Sequence, residues 1–196
     1  MDESFVDLYW LPVGAGTHFQ RWSLLAYEAV VSVVARRERA VLYHAALKVC
    51  VEGVESTLEL MPVPAGQRRE VALMTGPVGC RGADRLRLFR YQLLCVQGKP
   101  LPDEEYAVAS PLRLTTDCAV ARRVLELGPT VPAYTWGRRA RGTSEMWTSD
   151  SVMSWLLANA GIAAGEIALP PGGRAPGWNA GLSVAGGRHG PASREV

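Results

Sequence analysis

The stretch Val41–Val51, VLYHAALKVCV, constrains this chain more than any other. Val41, Tyr43, Ala45, Leu47 and Val49 alternate with Leu42, His44, Ala46, Lys48 and Cys50. A period of two over so many residues describes a strand. Gly53 follows, and Ser56–Val63 returns as STLELMPV. If Gly53-Val54 forms a two-residue hairpin turn, residue 52 opposes residue 55. Even residues of the first strand then share a face with odd residues of the second. Tyr43 and Leu47 join Leu58 and Leu60 on a buried side, while His44 falls with Thr57, Glu59 and Met61. The expected sheet therefore carries an imidazole and a carboxylate on the face away from its main apolar layer.

The second strong signal is Thr143–Gly161, TSEMWTSDSVMSWLLANAG. The polar cluster Thr148, Ser149, Asp150 and Ser151 leads into an apolar run that ends at Gly161. Hydroxyls and carboxylates at such a junction accept bonds from the free N–H groups of a first helical turn. Val152, Trp155 and Leu156 recur at i, i+3 and i+4, the spacing of a buried stripe. Gly161 supplies the left-handed stop. The start of a helix also lies in a partly positive field that favours an anion or a nucleophile. Strand and helix together predict an α+β fold, an antiparallel sheet packed against helices.

Composition sets the outer bounds. The chain has 196 residues, 48% hydrophobic and 20% charged, enough for a core without disulfides or metals. We expect one globular domain over residues 1–185 and a disordered tail over 186–196. A net charge of +2 supplies no field for nucleic acid, and Arg36–Arg39 and Arg138–Arg141 read as solvated loops. No run approaches the ~18 apolar residues of a membrane span. The opening MDESFVDLYW has acids where a secretory signal is basic, so a cytoplasmic location is expected. Cys50, Cys80, Cys95 and Cys118 form no C-x-x-C pair, and His18, His44 and His189 are scattered. Neither a metal nor a cofactor is expected.

Elsewhere the reading is coarser. Phe5–Leu11 is a short strand, and the glycine-bearing loop after Pro12 lacks a phosphate-cradling pattern. Arg21–Ala35 has helical spacing. Residues 62–83 read as loop, Arg85–Val96 as a strand, and Pro102–Ser110 as the start of a short helix. Thr115-Thr116-Asp117 caps a helix over Cys118–Leu127, closed by Gly128-Pro129.

A histidine on a strand, a polar partner on the paired strand and a later Trp-x-nucleophile string at a helix start resemble one known family. It is the circularly permuted papain-like fold, in its lecithin–retinol acyltransferase-like branch, where the histidine precedes the nucleophile. The matching string is Trp147-Thr148-Ser149-Asp150-Ser151-Val152. The chain is also similar to bacterial proteins with a Trp-x-Ser-x-Ser-x-x-x-Trp-Leu-Leu string. The resemblance implies hydrolysis or transfer at an amide, ester or thioester of a small-molecule or peptide substrate. Ser149 stands where the family has cysteine. Serine is not ionised by a helix field as a thiol is, so His44 must take its proton and Glu59 must orient the imidazole. Trp147 and Tyr43 become the substrate-side candidates, with backbone N–H groups near Ser149 as the oxyanion hole.

Plainer readings stand beside these. Ser149 also reads as the helix cap, with Asp150 or Ser151 as alternatives. His44 also reads as a hydrogen-bonded sheet histidine, Glu59 as a solvated carboxylate, and Trp147 and Trp155 as core anchors. Cys118, at another helix start, is a rival nucleophile or a small packed residue. The alternative function is an inactive relative serving as a binding or structural module. Oligomeric state has no signal in the sequence.

Overall fold

A computed structural model describes residues 3–13, 41–62, 72–82, 85–86, 89–101, 103–140 and 142–187. The expected helix over residues 21–35 and nearly all of the expected tail lie outside the described residues. The strands are β1 (Phe5–Pro12), β2 (Val41–Val51), β3 (Val54–Pro62), β4 (Ala72–Pro77), β5 (Arg90–Gln97), β6 (Val108–Thr115) and the two-residue β7 (Gly173–Arg174). The helices are α1 (Cys118–Leu127), α2 (Ser149–Ala160) and α3 (Trp178–Gly186). The strands run in the order β4-β5-β3-β2-β1-β6, each antiparallel to its neighbours, and β7 adds to β2 in parallel. The fold is α+β, as the strand and helix patterns predict.

The β2–β3 turn is Glu52–Gly53, because Val51 pairs with Val54 and Cys50 with Glu55. This is one residue earlier than the expected Gly53-Val54. Glu52 and Gly53 both have positive φ, 51° and 82°, as a type I′ turn requires. The shift moves the pairing by two residues, so even positions still share a face with odd ones. Leu47, Leu58 and Leu60 are fully buried on the helix-facing side, with Tyr43, Ala45 and Val49. On the other face Ala46 packs with Tyr9, Leu11 and Leu101 in a smaller cluster.

Three expectations are corrected. The loop over 62–83 contains β4, whose Gly76 lies so close to the Tyr91 ring that a Cβ there would sit 2.3 Å from it. The strand expected from Arg85 starts only at Arg90. The helix expected over 102–110 is three residues of 3-10 turn, Glu104–Tyr106, followed by β6. Among the described residues β6 pairs only with β1 and lies at the edge, the position in a sheet that tolerates its Pro111.

α2 is the centre of the molecule. Every residue from Ser149 to Leu157 is buried, including Ser149, Asp150, Ser151 and Ser154. Its apolar side chains lie in the core with the inner faces of β1, β2 and β3, and α1 and α3 pack alongside. The polar side is closed by α3 and the segment before it. Thr148 Oγ1 donates to the Pro176 carbonyl (2.5 Å), Ser151 Oγ to that of Gly177 (2.7 Å) and Ser154 Oγ to that of Trp178 (2.7 Å). These bonds let three hydroxyls be buried without an unmade hydrogen bond. Contact is so close that a Cβ on Gly181 would lie 2.1 Å from the Ser151 carbonyl oxygen. No helix among the described residues is long and apolar enough to cross a membrane.

Candidate functional site

The site begins where two central strands part. β2 and β3 are paired from Val51 and Val54 up to Leu47 and Leu58, and no further. β3 continues along β5 to Pro62, while β2 continues along β1 to Tyr43. The edge of β2 that β3 leaves is taken over at Val41 and Leu42 by β7. Between these two pairings the Ala45 N–H would be orphaned. Asp150 satisfies it: its Oδ1 accepts from Ala45 N at 2.8 Å. The first turn of α2 is thereby fastened to β2 at the residue that follows His44.

α2 starts as its local sequence dictates, with one change of role. Thr148, in extended conformation, is the N-cap, and Ser151 Oγ accepts from the Thr148 N–H at 3.0 Å. Ser149 is therefore the first helical residue and not the cap. Its hydroxyl forms no hydrogen bond among the described residues, and the residue is 4% exposed. Gly161 closes the helix in the left-handed conformation, φ 94°.

His44 and Glu59 lie on one face of the sheet, as the alternation predicts. His44 Nε2 is 3.4 Å from Glu59 Oε1, an ion-pair distance with alignment short of a hydrogen bond. Nε2 is thus buried without a hydrogen-bonding partner among the described residues. Burial alone would lower the imidazole pKa, but Glu59, and Asp150 through its charge, outweigh it and raise the value. The Asp150 carboxyl is raised as well. Burial pushes its carboxyl up to about 7, opposed by His44 and the Ala45 N–H and reinforced by Glu145. Glu145 is itself held by Gly177 N (3.1 Å) and Asn179 Nδ2 (2.9 Å).

Of the residues singled out in the sequence, His44 and Glu59 are brought together, and the Ser149 end of α2 is fastened to the strand that carries His44. A Ser149–His44 hydrogen bond is absent among the described residues. Trp147 is fully buried, edge-on to Tyr134 with ring centroids 5.0 Å apart, and Tyr43 is 5% exposed against Gly173. Both rings are core. Cys118, at the start of α1, has its thiol 3.9 Å from the Arg122 guanidinium and takes no part in the His44 cluster. No grouping of His, Cys, Asp and Glu that would hold a metal occurs among the described residues.

Asp150 is the residue that sequence reasoning passed over, treating it only as another cap. The available signal was its place: a carboxylate in the first turn of a helix apolar enough to be buried on every side. Such a group needs a partner that local sequence does not supply. Comparison with protein-family models, curated proteins and solved structures finds no match.

Proposed function

We propose that the chain is an acyl-transfer domain of the permuted papain-like kind, hydrolysing or transferring an amide, ester or thioester. Ser149 is the nucleophile, His44 the general base and acid, and Glu59 the group that orients the imidazole. The observation that carries this reading is the bond that fastens the first turn of α2, through Asp150, to β2 at Ala45, the residue after His44. Chain order agrees: the imidazole strand comes first and the nucleophile helix later. In the reaction His44 takes the Ser149 proton as Oγ attacks the acyl carbon, and then returns it to the leaving group. Free N–H groups in the first turn of α2 face the developing oxyanion. Ser149 and His44 must close to hydrogen-bond range when substrate binds, a tightening common in enzymes seen without substrate.

A second reading rests on a specific observation. The Ser149 hydroxyl has no bond to His44, and both residues are nearly sealed from solvent. This favours a binding module that keeps the architecture without the reaction. A fluorophosphonate probe separates the two. The enzyme reading expects covalent labelling at Ser149 that is lost in Ser149→Ala and reduced at least about 100-fold in His44→Ala. A folded parent chain that takes up no probe at Ser149 sinks it and leaves the binding module.

A further inference from the structure

The hydrogen bond from Ala45 to Asp150 does two things at once. It closes the N–H that β3 leaves unpaired, and it fixes a carboxylate at the backbone of the residue after His44, where its charge bears on the imidazole. An uncharged acceptor would serve the first purpose equally well. The second depends on charge. A carboxylate is expensive to bury, and an asparagine at position 150 offers the same carbonyl-type oxygen without that penalty. The negative group therefore calls for a reason beyond docking, and the imidazole supplies one.

We propose that Asp150 is the positioning residue of this site: through Ala45 it seats the Ser149 end of α2 in the opening between β2 and β3, and through its charge it sets the pH at which His44 becomes free to accept a proton. This rests on the acyl-transfer reading. The groups that bear on the imidazole are Glu59 from β3 and Asp150 from α2. Those that bear on the Asp150 carboxyl are His44 from β2 and Glu145 from the segment before α2. With Asp150 ionised, the imidazolium is favoured and His44 is withheld as a base. With the carboxyl protonated, Glu59 remains to hold the charge on His44, and the ring releases its proton more easily. The carboxyl titrates near neutrality, so the two states of the device are both accessible around neutral pH.

Two variants separate charge from docking. Asp150→Asn keeps an oxygen for the Ala45 N–H and removes the charge; Asp150→Ala removes both. Three readouts apply: an imidazole NMR titration of His44, hydrogen exchange at the Ala45 amide, and fluorophosphonate labelling of Ser149 across pH. In Asp150→Asn the His44 titration should move to lower pH by about half a pH unit or more. The acid limb of Ser149 labelling should move with it, while the Ala45 amide stays slow to exchange. In Asp150→Ala that amide should exchange at least about tenfold faster. An unmoved His44 titration in Asp150→Asn overturns the proposal, as does an unchanged Ala45 amide in Asp150→Ala. Should Asp150→Ala not fold, the titration in Asp150→Asn decides alone. A parent chain unlabelled at Ser149 overturns the acyl-transfer reading by itself, and the titration and exchange still report whether Asp150 governs the ring and the strand.

Discussion

The buried Asp150 carboxyl couples folding to proton concentration. Its carboxyl in the folded chain titrates at about 7, whereas an unfolded aspartate ionises near 4. Between those values the unfolded chain gives up its proton while the folded chain keeps it, so stability falls as pH rises. His44 acts in the same direction. Its raised pKa contributes stability that is complete below the ordinary imidazole value and is lost as pH climbs through the folded one. Denaturant titrations should therefore find the protein more stable at pH 5 than at pH 8. Asp150→Asn should flatten that slope and be the more stable chain at pH 8, by on the order of 1–3 kcal/mol, since relaxation and water screen a buried carboxylate. Equal slopes for parent and variant would mean that the carboxyl is not held in its protonated form. The His44–Glu59 pairing was legible beforehand, because period-two alternation fixes which side chains share a face even when the turn is misplaced by a residue. Asp150 was not. Its partner lies 105 positions away along the chain, where no local rule reaches.

Among the elements, those with local signatures were readable and those shaped by a neighbour were not. α1 spans Cys118–Leu127 as its Asp117 cap implies, with Asp117 Oδ1 accepting from Ala119 N and Val120 N. α2 ends where Gly161 dictates. α3 escaped notice because its sequence, WNAGLSVAG, has little stripe to detect. Its small residues answer to the surface of α2 and not to helix propensity. β4 was hidden by Gly76 and Pro77, and Gly76 answers to the Tyr91 ring. Two substitutions in α3 test this. Gly181→Ala drives a methyl into the Ser151 carbonyl and Ser154 Oγ, each 2.1 Å from the added carbon, and should destabilise by roughly 1–3 kcal/mol. Gly186→Ala meets nothing within 4 Å and should be neutral or stabilise by up to about 1 kcal/mol. Thermal unfolding of both variants measures the contrast, and equal behaviour would refute close helix contact at Gly181.

At the scale of the whole molecule one helix ties the layers together. Leu156, fully buried on α2 within the main core, should cost about 2–5 kcal/mol when cut to alanine, read from denaturant midpoints at unchanged m-value. A loss well under that range would mean that the α2 core is loosely packed. α+β architecture was legible at this scale, since one strong alternating strand and one capped helix suffice for it. What the sequence could not disclose is the parting of the sheet, which follows from the meeting of β2, α2 and β7. Among the described residues the ladder divides the sheet into two groups of three strands, β4-β5-β3 and β2-β1-β6, joined at their centre only along the turn end of the hairpin. Such a pair of blades is joined at one end and open at the other, where Asp150 of α2 caps the freed edge of β2. Amide exchange in Asp150→Ala should accordingly rise at Ala45, in the middle of the sheet, before it rises in the outer strands.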